Sequence, residues 1–278
     1  MAGYFDKGSP EALEHTLTGL IRTHKFTSRA LRTDRDVIVY LPPGYQDNLE
    51  RRYPVCYLQD GQNLFDAATA FNGNEWGLDE TAQELILGNQ IDPLILVGIY
   101  NAGSKRVNEY TPVPDSRGHG GRAQAYGRML IRELLPFIQS EYRTLTGPSH
   151  TALGGSSLGA LVTLYVGLLN PTVFGKLIVM SPSVWWARKD ILTRVGRLEA
   201  KTTQTIWLDV GTAEGGDPEH TCRDVQALRD ALIRKGWRLG RDLAYCEDAG
   251  AQHNESAWGR RMRDVLPFLF PTRAEQAA

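Results

Sequence analysis

A glycine-rich pentapeptide with a central serine, Gly155-Ser156-Ser157-Leu158-Gly159, is the pattern in this chain with the clearest chemical meaning. It matches G-x-S-x-G, and the residues around it favour a short buried strand before it and an apolar helix after it. So tight a turn leaves no room for side chains at the flanking positions, and it projects the serine above the edge of a sheet. Ser157 is therefore the candidate nucleophile of an acyl-transfer reaction.

The pentapeptide alone is a weak signal, because a Gly-Ser turn that caps a buried helix has the same pattern. Two further features favour a catalytic interpretation. His253 lies between an expected final strand and an expected final helix, and two acids, Glu214 and Asp217, follow an apolar strand. The order along the chain is then serine, acid, histidine, which is the order found in α/β-hydrolases.

Each of these residue types has a definite role in such chemistry. The hydroxyl of Ser157 is not ionised at neutral pH, so His253 must accept its proton during attack and later return it to the leaving alcohol. The acid would hold the histidine tautomer and stabilise the imidazolium. The backbone N–H of Leu158, at the start of the helix, would be one of the two donors that a tetrahedral oxyanion needs.

Composition and charge exclude several other classes of protein. The formal net charge is −1 and no basic stripe carries interleaved aromatic residues, which disfavours nucleic-acid binding. The cysteines, Cys56, Cys222 and Cys246, have no C-x-x-C spacing, so we expect small buried hydrophobic residues and not a disulfide or zinc framework. No set of residues has metal-ligand spacing, and we predict neither a metal nor an organic cofactor.

Targeting and membrane signals are not apparent in the sequence. The first residues lack the apolar region of a signal peptide, and no apolar run approaches the length of a membrane span. We therefore expect a cytoplasmic protein that does not enter a membrane.

Strand and helix patterns alternate along most of the chain, which predicts a mostly parallel sheet with helices on both faces. The chain is long enough for one sizeable core, so we predict an N-terminal segment (1–30) packing on the core, one domain (31–270) and a C-terminal tail (271–278). The N-terminal segment has a good helix start at Ser9-Pro10-Glu11, but residues 16–26 could instead pair as a strand with residues 35–41. The predicted strands are 35–41, 53–58, 93–100, 149–153, 176–180, 205–210 and 242–246, and the predicted helices are 75–87, 123–141, 160–169, 222–235 and 256–268.

Two regions should lie near the serine because each follows a predicted sheet strand. Residues 101–122 form a long stretch without strand or helix pattern, and it is either a solvated surface loop or a loop that covers the substrate. It carries Arg106, a candidate for binding a polar or acidic substrate group. Trp185 and Trp186 follow another strand and could line an acyl or alcohol pocket, although adjacent side chains seldom point the same way, so one of them should be core.

The chain resembles the putative esterase family of α/β-hydrolases, which includes S-formylglutathione hydrolases, feruloyl esterases, siderophore esterases and mycolyl-transferases. The DGQNLF run at 60–65 and the SPSVWW run at 181–186 are the most particular to this family. The other matching pieces are residues 39–45, 155–159, 209–214 and 253–255.

The resemblance implies an α/β-hydrolase fold and a serine carboxylic-ester hydrolase that acts through an acyl-enzyme on a small-molecule ester. It favours Glu214 over Asp217 as the acid, through the match at Gly211-Thr212-Ala213-Glu214, and it implies the backbone N–H of Gln62 as the second oxyanion donor. Two alternatives remain open from the sequence. One is an acyltransferase with the same catalytic residues, and the other is a catalytically idle binding module.

Overall fold

A computed structural model describes residues 15–272, whose centre is one eight-stranded sheet. The strands are β1 (Leu20–Ser28), β2 (Thr33–Leu41), β3 (Val55–Gln59), β4 (Ile95–Ile99), β5 (Thr151–Ser156), β6 (Lys176–Met180), β7 (Thr205–Gly211) and β8 (Leu243–Asp248). The helices are α1 (Leu78–Leu87), α2 (Arg106–Tyr110), α3 (Ala123–Met129), α4 (Leu135–Glu141), α5 (Leu158–Leu169), α6 (Trp186–Gly196), α7 (Pro218–Lys235) and α8 (Glu255–Leu269).

The strand order is β1-β2-β4-β3-β5-β6-β7-β8, which confirms the predicted mostly parallel sheet. The strands β1 and β2 are antiparallel to their neighbours, and every pair from β4 to β8 is parallel. Parallel strands end at a common edge, where ligands bind in open α/β sheets. The loops after β3, β5, β6, β7 and β8 all open at this carboxyl edge.

Buried side chains form a core on each face of the sheet. The alternation along β3 shows how one strand serves both cores: Val55 and Tyr57 lie in one of them, and Cys56 and Leu58 in the other. Because both faces are covered by helices, the strand must be apolar throughout, as expected for the middle of a parallel sheet.

The N-terminal region joins the sheet as its edge strand. Strand β1 pairs along its whole length with β2, so residues 20–26 of the predicted 16–26 alternative form a strand that pairs as expected. The predicted domain boundary at residue 31 falls in the turn of this hairpin. The helix start at Ser9-Pro10-Glu11 and residues 273–278 of the predicted tail lie outside the described residues.

Two other sequence expectations need correction. The stretch 101–122 is not free of regular structure, because it contains α2, and Glu109 of that helix forms a buried ion pair of 3.0 Å with Arg35. This charge pair fastens the stretch to β2. Helix α6, which begins at Trp186, was not predicted either, since its sequence lacks an apolar stripe.

Within residues 15–272, no helix is both long and apolar enough to cross a membrane. The cysteines in that range, Cys56, Cys222 and Cys246, are free thiols, and Cys56 is fully buried. The other two are only partly buried, so the expectation of a small buried hydrophobic residue holds fully for Cys56 alone.

Candidate active site

Ser157 occupies the sharp turn between β5 and α5, with φ 58° and ψ −123°. This is a strained conformation for a residue with a side chain, and such strain collects at functional sites. The neighbouring glycines are required by space: a Cβ on Gly155 would lie 2.9 Å from the Cβ of Gln59, and one on Gly159 would lie 3.0 Å from the same atom. A side chain at either position would crowd Gln59, so the two glycines let the turn pack against the end of β3.

A second serine contacts the first. The N–H of Ser183 donates to the carbonyl of Ser157 at 3.2 Å, and the two hydroxyl oxygens are 3.4 Å apart. Ser183 is buried and lies in the loop after β6, in the S-P-S run of the sequence. The sequence assigned no role to it, because only the three-dimensional pairing of β5 with β6 brings the two loops together.

The acid and the histidine meet at the same edge. Oε2 of Glu214, in the loop after β7, lies 2.8 Å from Nδ1 of His253, in the loop after β8. Burial raises the pKa of Glu214, but hydrogen bonds from His253 and Ser181 and the charge of His253 outweigh it, so the pKa is lowered overall. The ring of His253 also packs edge-on against Trp258, with centroids 4.9 Å apart.

The rival acid has another environment. Asp217 is exposed and is the N-cap of α7, where its carboxylate accepts the N–H of His220 at 2.9 Å. Of the two acids considered from the sequence, Glu214 is thus the one that contacts His253. Since a carboxylate can only accept, Nδ1 of His253 carries the proton in this pair, which leaves Nε2 as the ring atom available to a hydroxyl.

The two candidate oxyanion donors follow neighbouring parallel strands, β5 and β3. Leu158 is the first residue of α5, where backbone N–H groups have no acceptor within the helix. Gln62 is in a short 3-10 turn, Gly61–Asn63, directly after β3. The turn before it packs on the serine turn, because a Cβ on Gly159 would lie 3.3 Å from Oδ2 of Asp60. Their roles as donors remain predictions.

Arg106 lies at this edge, but its guanidinium is engaged by protein. Its Nε and Nη2 donate to the two oxygens of Asp60 at 2.8 and 2.7 Å, and Asn101 adds a bond of 2.8 Å. Burial alone would lower the pKa of Arg106, but the hydrogen bonds and the charge of Asp60 raise it. Arg106 therefore holds the turn that precedes Gln62, and a direct contact with substrate remains a prediction.

One of the two adjacent tryptophans is buried and the other is exposed, as expected from the sequence. Trp186 is buried, and its Nε1 donates to the carbonyl of Val113 at 2.8 Å, which ties it to the 101–122 stretch. Trp185 is 59% exposed, an unusual fraction for so large an aromatic side chain. Their ring centroids are 5.7 Å apart. Trp185 is thus the one that could contact a ligand at this edge.

No group of three or more histidine, cysteine, aspartate or glutamate side chains in residues 15–272 is arranged to hold a metal ion. That the reaction needs neither a metal nor an organic cofactor remains a prediction. It is based on the proposed use of a serine nucleophile and backbone N–H donors.

A mostly parallel sheet flanked by helices, with a strained serine turn at its carboxyl edge, defines an α/β-hydrolase. Residues 28–269 match the model of the Esterase family, described as putative esterase, and the chain belongs to that family. The protein is therefore an esterase, as the sequence resemblance implied.

Named relatives agree with this assignment. The chain is 25% identical over 258 residues to an endo-1,4-beta-xylanase/feruloyl esterase of Xylanibacter ruminicola, covering 91% of this chain and 31% of that protein. It is 26% identical over 253 residues to the iron(III) salmochelin esterase of Escherichia coli, covering 84% of this chain and 54% of that protein. The crystal structure of an IroE-like serine hydrolase from Shewanella oneidensis superposes with a TM-score of 0.73 and 25% identity, over 90% of this chain and 80% of that one.

Proposed function

We propose that the protein is a serine carboxylic-ester hydrolase that works through an acyl-enzyme, with Ser157 as nucleophile, His253 as general base and acid, and Glu214 as the orienting acid. The observation that carries the proposal is the 2.8 Å hydrogen bond between buried Glu214 and His253, at the sheet edge that also bears the strained serine turn. The name of the serine hydrolase from Shewanella oneidensis supports the same chemistry.

The reaction begins when Oγ of Ser157 attacks the ester carbonyl carbon and its proton passes to Nε2 of His253. The tetrahedral oxyanion is stabilised by the backbone N–H groups of Leu158 and Gln62. The intermediate collapses as the C–O bond to the alcohol breaks, and His253 returns the proton to the leaving oxygen. Water then repeats the sequence on the acyl-enzyme, which releases the acid and regenerates Ser157.

We further propose a small-molecule ester with an aromatic part as the substrate. Trp185 offers an exposed aromatic surface in the loop after β6, the loop that also carries Ser183, and aromatic groups stack favourably on such a surface. The feruloyl and salmochelin esterases named among the relatives favour this class over a long-chain lipid ester. A panel of aryl, acyl-thioester, feruloyl and siderophore esters would rank the candidates by kcat/KM.

Covalent labelling tests the mechanism directly. Wild-type protein and Ser156→Ala should react with a fluorophosphonate, while Ser157→Ala should not, and its ester turnover should fall by at least about 10³-fold. Ser156 is the matched control, because it is the adjacent buried serine and ends strand β5. A folded Ser157→Ala protein with full turnover would refute the proposal, and a product that requires an alcohol acceptor would indicate an acyltransferase.

A further inference from the structure

Ser181, directly after β6, is held in an unusual backbone conformation beside the acid. Its φ is 44°, in the left-handed region that residues with side chains seldom enter. Its N–H donates to the backbone carbonyl of Asp209 at 3.0 Å and also lies 3.1 Å from Oδ1 of the same residue. Strain of this kind costs of order 1–3 kcal/mol and persists only where surrounding contacts impose it.

The hydroxyl of Ser181 contacts three polar groups, two of which can only donate. Nε1 of Trp258 lies 2.9 Å from Oγ, and Nη2 of Arg261 lies 3.3 Å from it. The third group is Oε1 of Glu214, at 2.6 Å. Indole and guanidinium N–H groups have no acceptor capacity, so they occupy the lone pairs of the oxygen. The single hydroxyl proton of Ser181 must then point to Glu214.

This arrangement fixes the plane of the Glu214 carboxylate relative to the histidine. Oε1 receives the hydroxyl of Ser181 and, at 2.7 Å, the N–H of Gly211. Oε2 remains for Nδ1 of His253. The carboxylate is 1% exposed, so water does not compete for these positions. Rotation of the carboxylate out of this plane would break all three hydrogen bonds, which is costly for a buried charged group.

We propose that Ser181 is a positioning residue of this esterase: its hydroxyl, directed by Trp258 and Arg261, holds the Glu214 carboxylate in the orientation that His253 needs. The inference rests on the proposed catalytic role of Glu214 and His253. Ser181 does not touch the reacting atoms. It acts only through Glu214, as outer groups that orient a histidine's partner do in other sites.

Arg261 adds a reason for the direction of the hydroxyl. The Arg261 side chain is 4% exposed and forms an ion pair with Asp209. This ion pair holds the guanidinium next to the hydroxyl of Ser181. Its Nη2 is also 3.6 Å from Oε1 of Glu214, beyond hydrogen-bond distance. The hydroxyl of Ser181 therefore links the guanidinium of Arg261 to the carboxylate of Glu214. Through this link, helix α8 is connected to the loop after β7.

Two substitutions remove the hydroxyl, and only one of them relieves the backbone strain. Ser181→Ala keeps a side chain in the left-handed conformation, and Ser181→Gly relieves the strain, so the glycine variant should fold even where the alanine variant does not. In both, kcat should fall by roughly 10- to 100-fold with KM nearly unchanged, because a misoriented base affects the chemical step and not binding. Thr163→Ala is the control, since it removes another buried hydroxyl, within α5, and should leave kcat unchanged.

A second comparison separates positioning from general packing. Trp258→Phe removes one donor to Ser181 and keeps an aromatic ring beside His253. It should lower kcat in the wild-type background and have little further effect in Ser181→Gly, because both changes act on one hydrogen-bonded unit. Additive effects would overturn the proposal.

A proton NMR experiment reports on the Glu214–His253 bond itself. Wild-type protein and Thr163→Ala should show a far-downfield resonance from the Nδ1 proton of His253, and Ser181→Gly should shift or broaden it. If Ser181→Gly left both the resonance and kcat unchanged, the proposed role of Ser181 would be refuted, and the proposed function would still stand. Full turnover in Ser157→Ala would instead refute the proposed function, so the two failures are distinguishable.

Discussion

Glu214 and His253, from loops after adjacent parallel strands, are joined by a hydrogen bond of 2.8 Å between Oε2 and Nδ1. We expect Glu214→Gln to lower kcat by roughly 10²–10⁴-fold, because the amide can present its NH₂ group to Nδ1 and so favour the wrong tautomer. Steady-state kinetics with an aryl ester measure this loss. The substitution should change KM much less than kcat.

Asp217 provides the control for this experiment. It caps α7, and Asp217→Ala should lower the free energy of unfolding by about 0.5–2 kcal/mol while kcat stays close to the wild-type value. Thermal denaturation and the same kinetic assay measure both effects. If Asp217→Ala lost activity and Glu214→Gln kept it, the acid would have to be reassigned.

The serine, the acid and the histidine could be proposed from the sequence because each lies in the turn or loop just after a strand. For such residues the local pattern of strand and loop already indicates the edge of the sheet, since parallel strands end together. Ser157, Glu214 and His253 all belong to this group. The choice between Glu214 and Asp217 came from a family resemblance, since spacing alone allowed both.

The ion-pair partners of Arg106 and Arg261 could not be predicted in the same way. Arg106 reaches Asp60 across 46 positions, and Arg261 reaches Asp209 across 52. No periodicity in the sequence encodes such pairs, because they depend on how the stretch after β4 and helix α8 pack on the sheet. The sequence therefore marked Arg106 as a charge available to substrate, whereas its guanidinium is bound to Asp60.

The Asp60–Arg106 pair gives a second prediction. Arg106→Met should leave Asp60 buried without its cation and disturb the turn that presents the N–H of Gln62. If Arg106 acts on this turn, kcat should fall by roughly 10-fold or more for neutral and acidic esters alike, since losing one oxyanion donor can cost 10²–10³-fold. A rise in KM confined to acidic substrates would show instead that Arg106 contacts the substrate.

The adjacent tryptophans should behave differently when truncated. Trp185→Ala removes an exposed ring, so stability should change by less than about 0.5 kcal/mol while kcat/KM changes unequally across aryl and alkyl esters. Trp186→Ala removes a buried ring with a hydrogen bond to Val113, and it should lower stability by about 3–5 kcal/mol. Denaturant unfolding and an ester panel separate the two effects. An unchanged ester profile in Trp185→Ala would place the pocket elsewhere.

Two buried carboxylates near Arg261 should shift stability with pH in opposite directions. Burial raises the pKa of Asp209 from 3.8 to about 6, because it outweighs the charge of Arg261 and the hydrogen bond from Trp207. The folded protein then binds this proton more tightly than the unfolded chain does. The contribution of Asp209 to stability is therefore present at low pH and is lost as the pH rises from about 4 to about 6.

The free energy of unfolding of wild type minus that of Asp209→Asn should accordingly fall over this range, by up to about 1.4 kcal/mol per pH unit. Glu214 is the matched comparison, because its pKa is lowered below 4.5. The same difference for Glu214→Gln should fall as the pH is lowered through the pKa of Glu214 in the folded state. Urea unfolding from pH 3.5 to 8 measures both differences. If both free-energy differences rose with pH, Asp209 would be ionised in the folded protein over the same pH range as Glu214, and the raised pKa of Asp209 would be refuted.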